Sequence, residues 1–419
     1  MRARPVERGA GDPRPGRRET AAWTLLGLAA ALGMLWGWNW QVGSSDWSTE
    51  AAAPLAALLH GHLGTFFSTA PAYGPSLLLR APFALPGSLA HGGQLLAYRL
   101  SAIPCSLALA GLGIWLAVRL RRNGAGPLSA GATVLLCAAN PIAFKALVIG
   151  HPEELLGAVL CAAAVLLAMR GRDGWASLAL GVAIANKQWA LLAIGPVLVA
   201  LPAHRWRTLI IAGAIAAGLE APMLIASTTV KTGTSRLIVN DTGVTFYPWQ
   251  LFWFFGPRGH WTVAMAHYIP RGYRMPPGWI AGRAHLLIVW LALPLSGLAA
   301  WRRMPRERAL LLLALLMLMR CLLDPWDNAY YPLPFIVALA AWEGRVAGRF
   351  PLGAAAATGA AWLIFDFLPH QIGVDLQAVS FLVPALAVFA VLAAAVYRPA
   401  LAPARRRQAA VSRPRAVPS

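Results

Sequence analysis

The feature that most limits what this chain can fold into is its series of apolar runs. They recur near 21–40, 95–118, 128–149, 154–169, 174–186, 188–202, 208–226, 284–301, 309–323, 329–342, 351–368 and 377–397, with short arginine clusters between them. About 20 apolar residues, rising 1.5 Å each in a helix, cross the hydrocarbon of a bilayer. Charged residues make up only 12% of the sequence, against about 25% in a soluble domain. The pattern predicts an all-α polytopic membrane protein of about 10–12 transmembrane helices in one integrated bundle, residues 21–397. The run 21–40 follows a basic tail without a small-residue cleavage site and reads as a retained first span.

A net charge of +20 raises nucleic acid as a partner. The basic residues instead sit in short clusters between the runs, which is the signature of cytoplasmic loops and not of a nucleic-acid face. These clusters are "RPGRR", "RLRR" at 119–122, "RGR" at 170–172, "HRWR" at 204–207, "RRMPRER" at 302–308, "EGRVAGR" at 343–349 and "RRR" at 405–407. They alternate consistently with the runs only if 174–186 and 188–202 form one hairpin of half-helices meeting at "ANKQW". Broken helices at membrane depth are tolerated where they line a cavity or are buried in protein. Both termini are then cytoplasmic, with Arg- and Pro-rich tails 1–20 and 398–419 expected to be disordered. The outer loops are 41–94 and 227–283. The first carries two pieces expected to lie in the interface: Pro54–Leu63, with Leu55, Leu58, Leu59 and Leu63 on one face, and Tyr73–Leu89, interrupted by Arg80 and prolines. The four cysteines fall inside runs and read as packing residues.

Sorting the acids on this topology is informative. Asp46, Glu50, Glu153, Glu154, Asp241, Asp324, Asp327, Asp366 and Asp375 lie at or near the outer face, with Glu220 inside a span. All three lysines (Lys145, Lys187 and Lys231) and several arginines, including Arg80, Arg236, Arg271 and Arg320, share that side. Charge inside hydrocarbon needs a partner or a water-filled cavity. Both signs together describe a polar site sunk into the outward end of the bundle, suited to an anionic head group beside a base.

Four stretches carry a resemblance to a known family. An acid after the first run is followed by "LLHGHLGTFFSTAPAYGPSLLLRAPFALPG", which contains Tyr73. "GHPEELLGAVLCAAAVLLAMRGRDGWASLALGVAIANKQWALLAIGPVLV" gives an outward turn, a span, a basic turn, a half-helix and Lys187. "FYPWQLFWFFG" at 246–256 is an aromatic outer segment, and "RCLLDPWDNAYYPLPF" at 320–335 closes the set. In order and layout the chain resembles the GT-C superfamily of integral-membrane glycosyltransferases, most of all the polyprenol-phosphate-mannose-dependent mannosyltransferases. The resemblance implies a GT-C-like bundle in the plasma membrane with its active site facing outside. It also implies transfer of a sugar, mannose favoured, from a polyprenyl-phosphate donor to a glycolipid or glycan acceptor hydroxyl, with no cofactor. Asp46 occupies the place of the general base. The metal-using branches carry an Asp-x-Asp in the first loop, and none stands here, so a metal-independent reaction is expected.

Each candidate also has a plainer reading. Asp46 follows "GSS" and could cap a helix. Glu153 and Glu154, after Pro152, suit the first turn of a helix; the functional reading is that one of them binds sugar hydroxyls or supports the base. His151 is a candidate ligand or hydrogen-bond donor. Lys187, between two half-helices, is expected to meet the donor phosphate. Arg320 either pairs with Asp324 four residues on or binds phosphate as a fork. Tyr330 and Tyr331 read as interfacial belt residues, and Trp249 and Trp253 as a belt, a sugar-stacking platform or a groove for the prenyl chain. The competing function is a membrane transporter or a flippase of lipid-linked sugars, which would also use broken helices and buried charge.

Overall fold

The structure, a computed structural model, describes residues 15–37, 45–90, 92–227, 246–258, 274–280 and 283–398. Most of the tails and much of the expected outer loop 227–283, with Lys231, Arg236, Asp241 and Arg271, lie outside the described residues. The helices in chain order are α1 (Arg17–Trp36), α2 (Ala52–Leu59), α3 (Leu63–Thr69), α4 (Gly74–Leu89), α5 (Gly93–Arg122), α6 (Pro127–Ala138), α7 (Pro141–Ile149) and α8 (Glu153–Met169). They continue as α9 (Asp173–Asn186), α10 (Ile194–Ala200), α11 (Arg205–Ala226), α12 (Ala284–Trp301), α13 (Ala309–Leu323), α14 (Leu333–Trp342), α15 (Leu352–Trp362) and α16 (Val374–Tyr397). Among the described residues, pairing of extended backbone is limited to one isolated bridge between Arg258 and Arg274. The first helix begins at Arg17, so the expected disordered tail loses Arg17–Thr20 to α1.

Among the described residues, seven stretches are long and apolar enough to cross a membrane: α1, α5, α6 with α7, α11, α12, Leu352–His370 beginning with α15, and α16. The remaining runs form shorter helices, and three of these, α8, α13 and α14, make up the inside of the bundle. Every residue of α13, "ALLLLALLMLMRCLL", is buried, as expected of a helix that is apolar on all sides. It packs against α8, α14 and α16. A helix surrounded by protein has no need to match the bilayer thickness along its own length.

Three breaks shape the outward end. The run 128–149 is not one helix. Pro141 has no N–H to give, and Asn140 caps the new start by accepting from the N–H groups of Ile142 (2.9 Å) and Ala143 (3.3 Å). The expected break at "ANKQW" is present. Lys187 is extended (φ −161°, ψ 125°) between α9 and a 3₁₀ turn, Gln188–Ala193, that leads into α10. In the first loop, Gly61 takes a left-handed conformation (φ +78°) and ends the expected Pro54–Leu63 helix early. Leu55 is buried, but Leu63 opens α3 and is 51% exposed, so the four leucines do not share one face. Nor is α4 only interfacial: Arg80 is fully buried and turned into the bundle, with Pro82 and Pro86 accommodated inside the helix.

The basic clusters within the described residues gather at the other end. Arg121 pairs with Glu19 at 3.1 Å, and His204 with Asp173 at 3.5 Å. Because α8 runs from Glu153 to Met169, the two ends are separated by about 25 Å at 1.5 Å per residue.

Candidate active site

The site is built on the turn between α7 and α8. Gly150 ends α7 with φ +112°, a conformation side chains rarely adopt. A Cβ there would also meet the Trp47 backbone nitrogen at 2.5 Å. Glycine therefore lets the first loop close onto this turn. His151 follows, its N–H bonded to the Ala146 carbonyl at 2.8 Å. Pro152 then starts α8 with two acids in its first turn.

His151 is buried and spans two carboxylates. Its Nε2 lies 3.0 Å from Asp46 Oδ2 and its Nδ1 lies 2.7 Å from Glu153 Oε1. Burial and the Lys187 charge push its pKa down. Glu153 and the hydrogen bonds to both carboxylates outweigh them and hold His151 up at about 9. At neutral pH it is an imidazolium that donates through both nitrogens. Glu153, fully buried, has its charge met from three directions. Arg80 Nη1 is 3.1 Å from Oε2, Lys187 Nζ is 3.1 Å from Oε1, and His151 is the third partner. The Asn186 side chain donates to the Glu153 carbonyl at 2.8 Å, which ties the end of α9 to the start of α8.

Lys187 also lies 3.4 Å from Glu154 Oε1, and its ammonium sits 4.5 Å from the centre of the Tyr73 ring. Tyr73 donates its hydroxyl to Glu50 Oε2 at 2.7 Å. Burial and the charges of Glu153 and Glu50 push the phenol well up, so it stays a donor. Trp189 Nε1 donates to Glu154 Oε2 at 2.9 Å. Arg320 lies 3.9 Å from the centre of the Tyr331 ring and 5.3 Å from that of Trp189. Its Nη1 is buried without a hydrogen-bond partner.

Asp46, Tyr73, His151, Glu153, Glu154 and Lys187 therefore form one connected cluster, and Arg320 flanks it through Trp189. Asp324 stands apart. It lies 4.0 Å from Arg320 and 3.4 Å from His285. Asp46 does not cap the turn that follows it: its side chain makes no capping hydrogen bond. Exposure separates the carboxylates, because Asp46 is 46% exposed at its side chain while Glu153 is at 0%. The first is open to solvent and the second is not.

Several residues take places the sequence does not announce. Arg80 underlies Glu153, and Glu50 anchors Tyr73. Tyr330 is buried, with its ring centre 5.2 Å from that of His151. It is not a lipid-facing belt residue, and neither is Tyr331 beneath Arg320. Trp249 packs on Phe365 at 4.7 Å between ring centres, and Trp253 donates to Asp375 at 2.8 Å. These two tryptophans hold the outer segment to the bundle, while Phe254 and Phe255 remain exposed. The one available signal for Arg80 was an arginine amid an apolar stretch, which needs a buried acid.

The family model of glycosyltransferase family 87 matches residues 72–325, more than half of the chain. This protein belongs to glycosyltransferase family 87. No curated protein matches it. The matched region includes Tyr73, His151, Glu153, Glu154, Lys187, Arg320 and Asp324, while Asp46 lies upstream of it. Membership and the apolar helices together make the chain a multi-pass membrane glycosyltransferase, and they favour the enzyme over the transporter or flippase.

Proposed function

We propose that this family 87 glycosyltransferase moves a sugar, mannose favoured, from a polyprenyl-phosphate donor to an acceptor hydroxyl of a glycolipid or glycan. The reaction takes place at the extracytoplasmic face of the plasma membrane, with both termini in the cytoplasm. The observation that carries this reading is the half-exposed Asp46 carboxylate held by a buried imidazolium, in one cluster with Lys187 and with Arg320 flanking that cluster through Trp189.

In this mechanism the acceptor oxygen attacks the anomeric carbon. Its proton passes to the Asp46 oxygen not engaged by His151, and the bond from the anomeric carbon to the phosphate oxygen breaks. One displacement with one base inverts the anomeric centre. The leaving lipid phosphate carries the departing electron pair toward Lys187 and toward the unpaired Nη1 of Arg320. His151 does not touch substrate in this scheme. It fixes the rotamer of Asp46, while Glu153 fixes His151. Tyr73 and Glu154, the latter as buried as Glu153, position Lys187 in this scheme, and Asp324 completes the Arg320 side. Two cations suffice for a monophosphate leaving group, so the reaction is expected to proceed without metal or cofactor.

The test is transfer by membranes containing the protein, supplied with a panel of labelled polyprenyl-phosphate sugars and the matching nucleotide sugars. Label should pass to acceptor from polyprenyl-phosphate mannose and not from nucleotide mannose. Transfer from the nucleotide sugar alone would overturn the donor assignment.

A further inference from the structure

At the end of α8 remote from Glu153, where α5 packs on both α8 and the turn Glu343–Ala347, arginines from three elements converge with no acid paired to them among the described residues. Arg119 lies in the last turn of α5, Arg170 caps α8, and Arg345 sits in the π-helical turn Glu343–Ala347 that follows α14. Burial, and then Arg119 and Arg172, push the Arg170 guanidinium below its usual range. Burial, Arg119 and Arg170 do the same to Arg345. The Arg170 guanidinium lies 5.4 Å from the centre of the Trp115 ring, one turn before Arg119 on α5. The Nε of Arg119 is buried without a hydrogen-bond partner.

The nearby carboxylates are occupied elsewhere. Glu19 pairs with Arg121, Asp173 pairs with His204, and Glu343 accepts from the N–H groups of Gly353 and Ala354 at 3.1 and 2.9 Å. A helix C-terminus attracts a cation, which accounts for Arg119 or Arg170 singly. It does not account for three guanidiniums held where they repel one another. Such a cluster is stabilised by an anion with several acceptor oxygens. Depth identifies the source of that anion. Trp175, Trp206 and Trp301, beside the basic clusters, are 63%, 77% and 82% exposed, and exposed tryptophans mark the headgroup level of a bilayer.

We propose that Arg119, Arg170 and Arg345 form a binding site for the phosphate headgroup of an anionic phospholipid, with Trp115 as its floor. On the topology proposed above, that lipid belongs to the cytoplasmic leaflet. The site lies about 25 Å from Asp46 and is independent of the transfer chemistry.

Native mass spectrometry of the full-length protein tests this, using dioleoyl phosphatidylglycerol and dioleoyl phosphatidylcholine as probes. Phosphatidylglycerol should be retained and phosphatidylcholine not. Retention should fall about fivefold for each arginine removed in Arg170→Gln and in the double variant Arg119→Gln/Arg345→Gln. Arg121→Gln, whose partner is Glu19, should bind as the parent does. The single variant at exposed Arg170 keeps the test decisive if the double variant does not fold. Equal retention of the two lipids, or unchanged binding by Arg170→Gln, would overturn the site. Millimolar inorganic phosphate displacing the lipid completely would overturn the lipid as its occupant.

Discussion

Glu153 is the residue on which the outward site is balanced, and neutralising it has a calculable effect. Its carboxylate is fully buried and faces Arg80 and Lys187, each at 3.1 Å, and His151 at 2.7 Å. Glu153→Gln keeps the shape and removes the charge, which leaves buried Arg80 and His151 and half-buried Lys187 facing one another. Removing one partner of a buried ion pair costs about 3–5 kcal/mol, and an amide also presents an N–H₂ to groups that themselves donate. The purified variant should melt several degrees below the parent in the same detergent. Glu154→Gln should cost less, about 1–3 kcal/mol, because one contact is a Trp189 hydrogen bond and Lys187 keeps Glu153. Adding Arg80→Met to Glu153→Gln should recover part of the loss, since it removes the stranded guanidinium together with its acid. A Glu153→Gln protein that melts with the parent, or a double variant that melts lower than the single, would refute the reasoning.

Two further outcomes follow from the same geometry. His151 has its pKa raised from 6.5 to about 9 in the folded protein, so the stability it contributes is fully present below pH 6.5 and is lost as pH rises through 9; transfer and melting temperature should both decline there, and His151→Gln should flatten the step while lowering kcat. Gly150→Ala strains a left-handed residue and drives a methyl onto the Trp47 backbone, so it should cost about 1–3 kcal/mol and lower kcat through misplacement of Asp46, read by melting temperature and transfer rate on the same preparation.

Much of the fold was legible because apolar runs and arginine clusters report directly on a low-dielectric solvent and its polar borders. The break at Lys187 followed from two runs each too short to span, and the structure places an extended residue there. What the sequence did not give up were contacts between distant elements. Arg80 reads locally as an interruption of an interfacial helix, and only its burial against Glu153, in another helix, shows its place. Tyr330 and Tyr331 carry the same local signature as belt residues, and nothing within a few positions says that they face His151 and Arg320. The leucines of 54–63 fit one helical face on paper, but the left-handed Gly61 ends that helix. Asp46, His151, Glu153, Glu154 and Lys187 were each candidates for reasons of their own. That they touch is a property of the α7–α8 turn and of the close approach at Gly150, which spacing alone does not encode.

The most direct measurement is single-turnover transfer by Asp46→Asn, made alongside donor binding and melting temperature for the same protein. The expected result is loss of transfer by at least about 100-fold, the range of a general base, with the donor still bound and the fold intact. Transfer at the parental rate by a folded Asp46→Asn protein would show that this carboxylate does not take the proton.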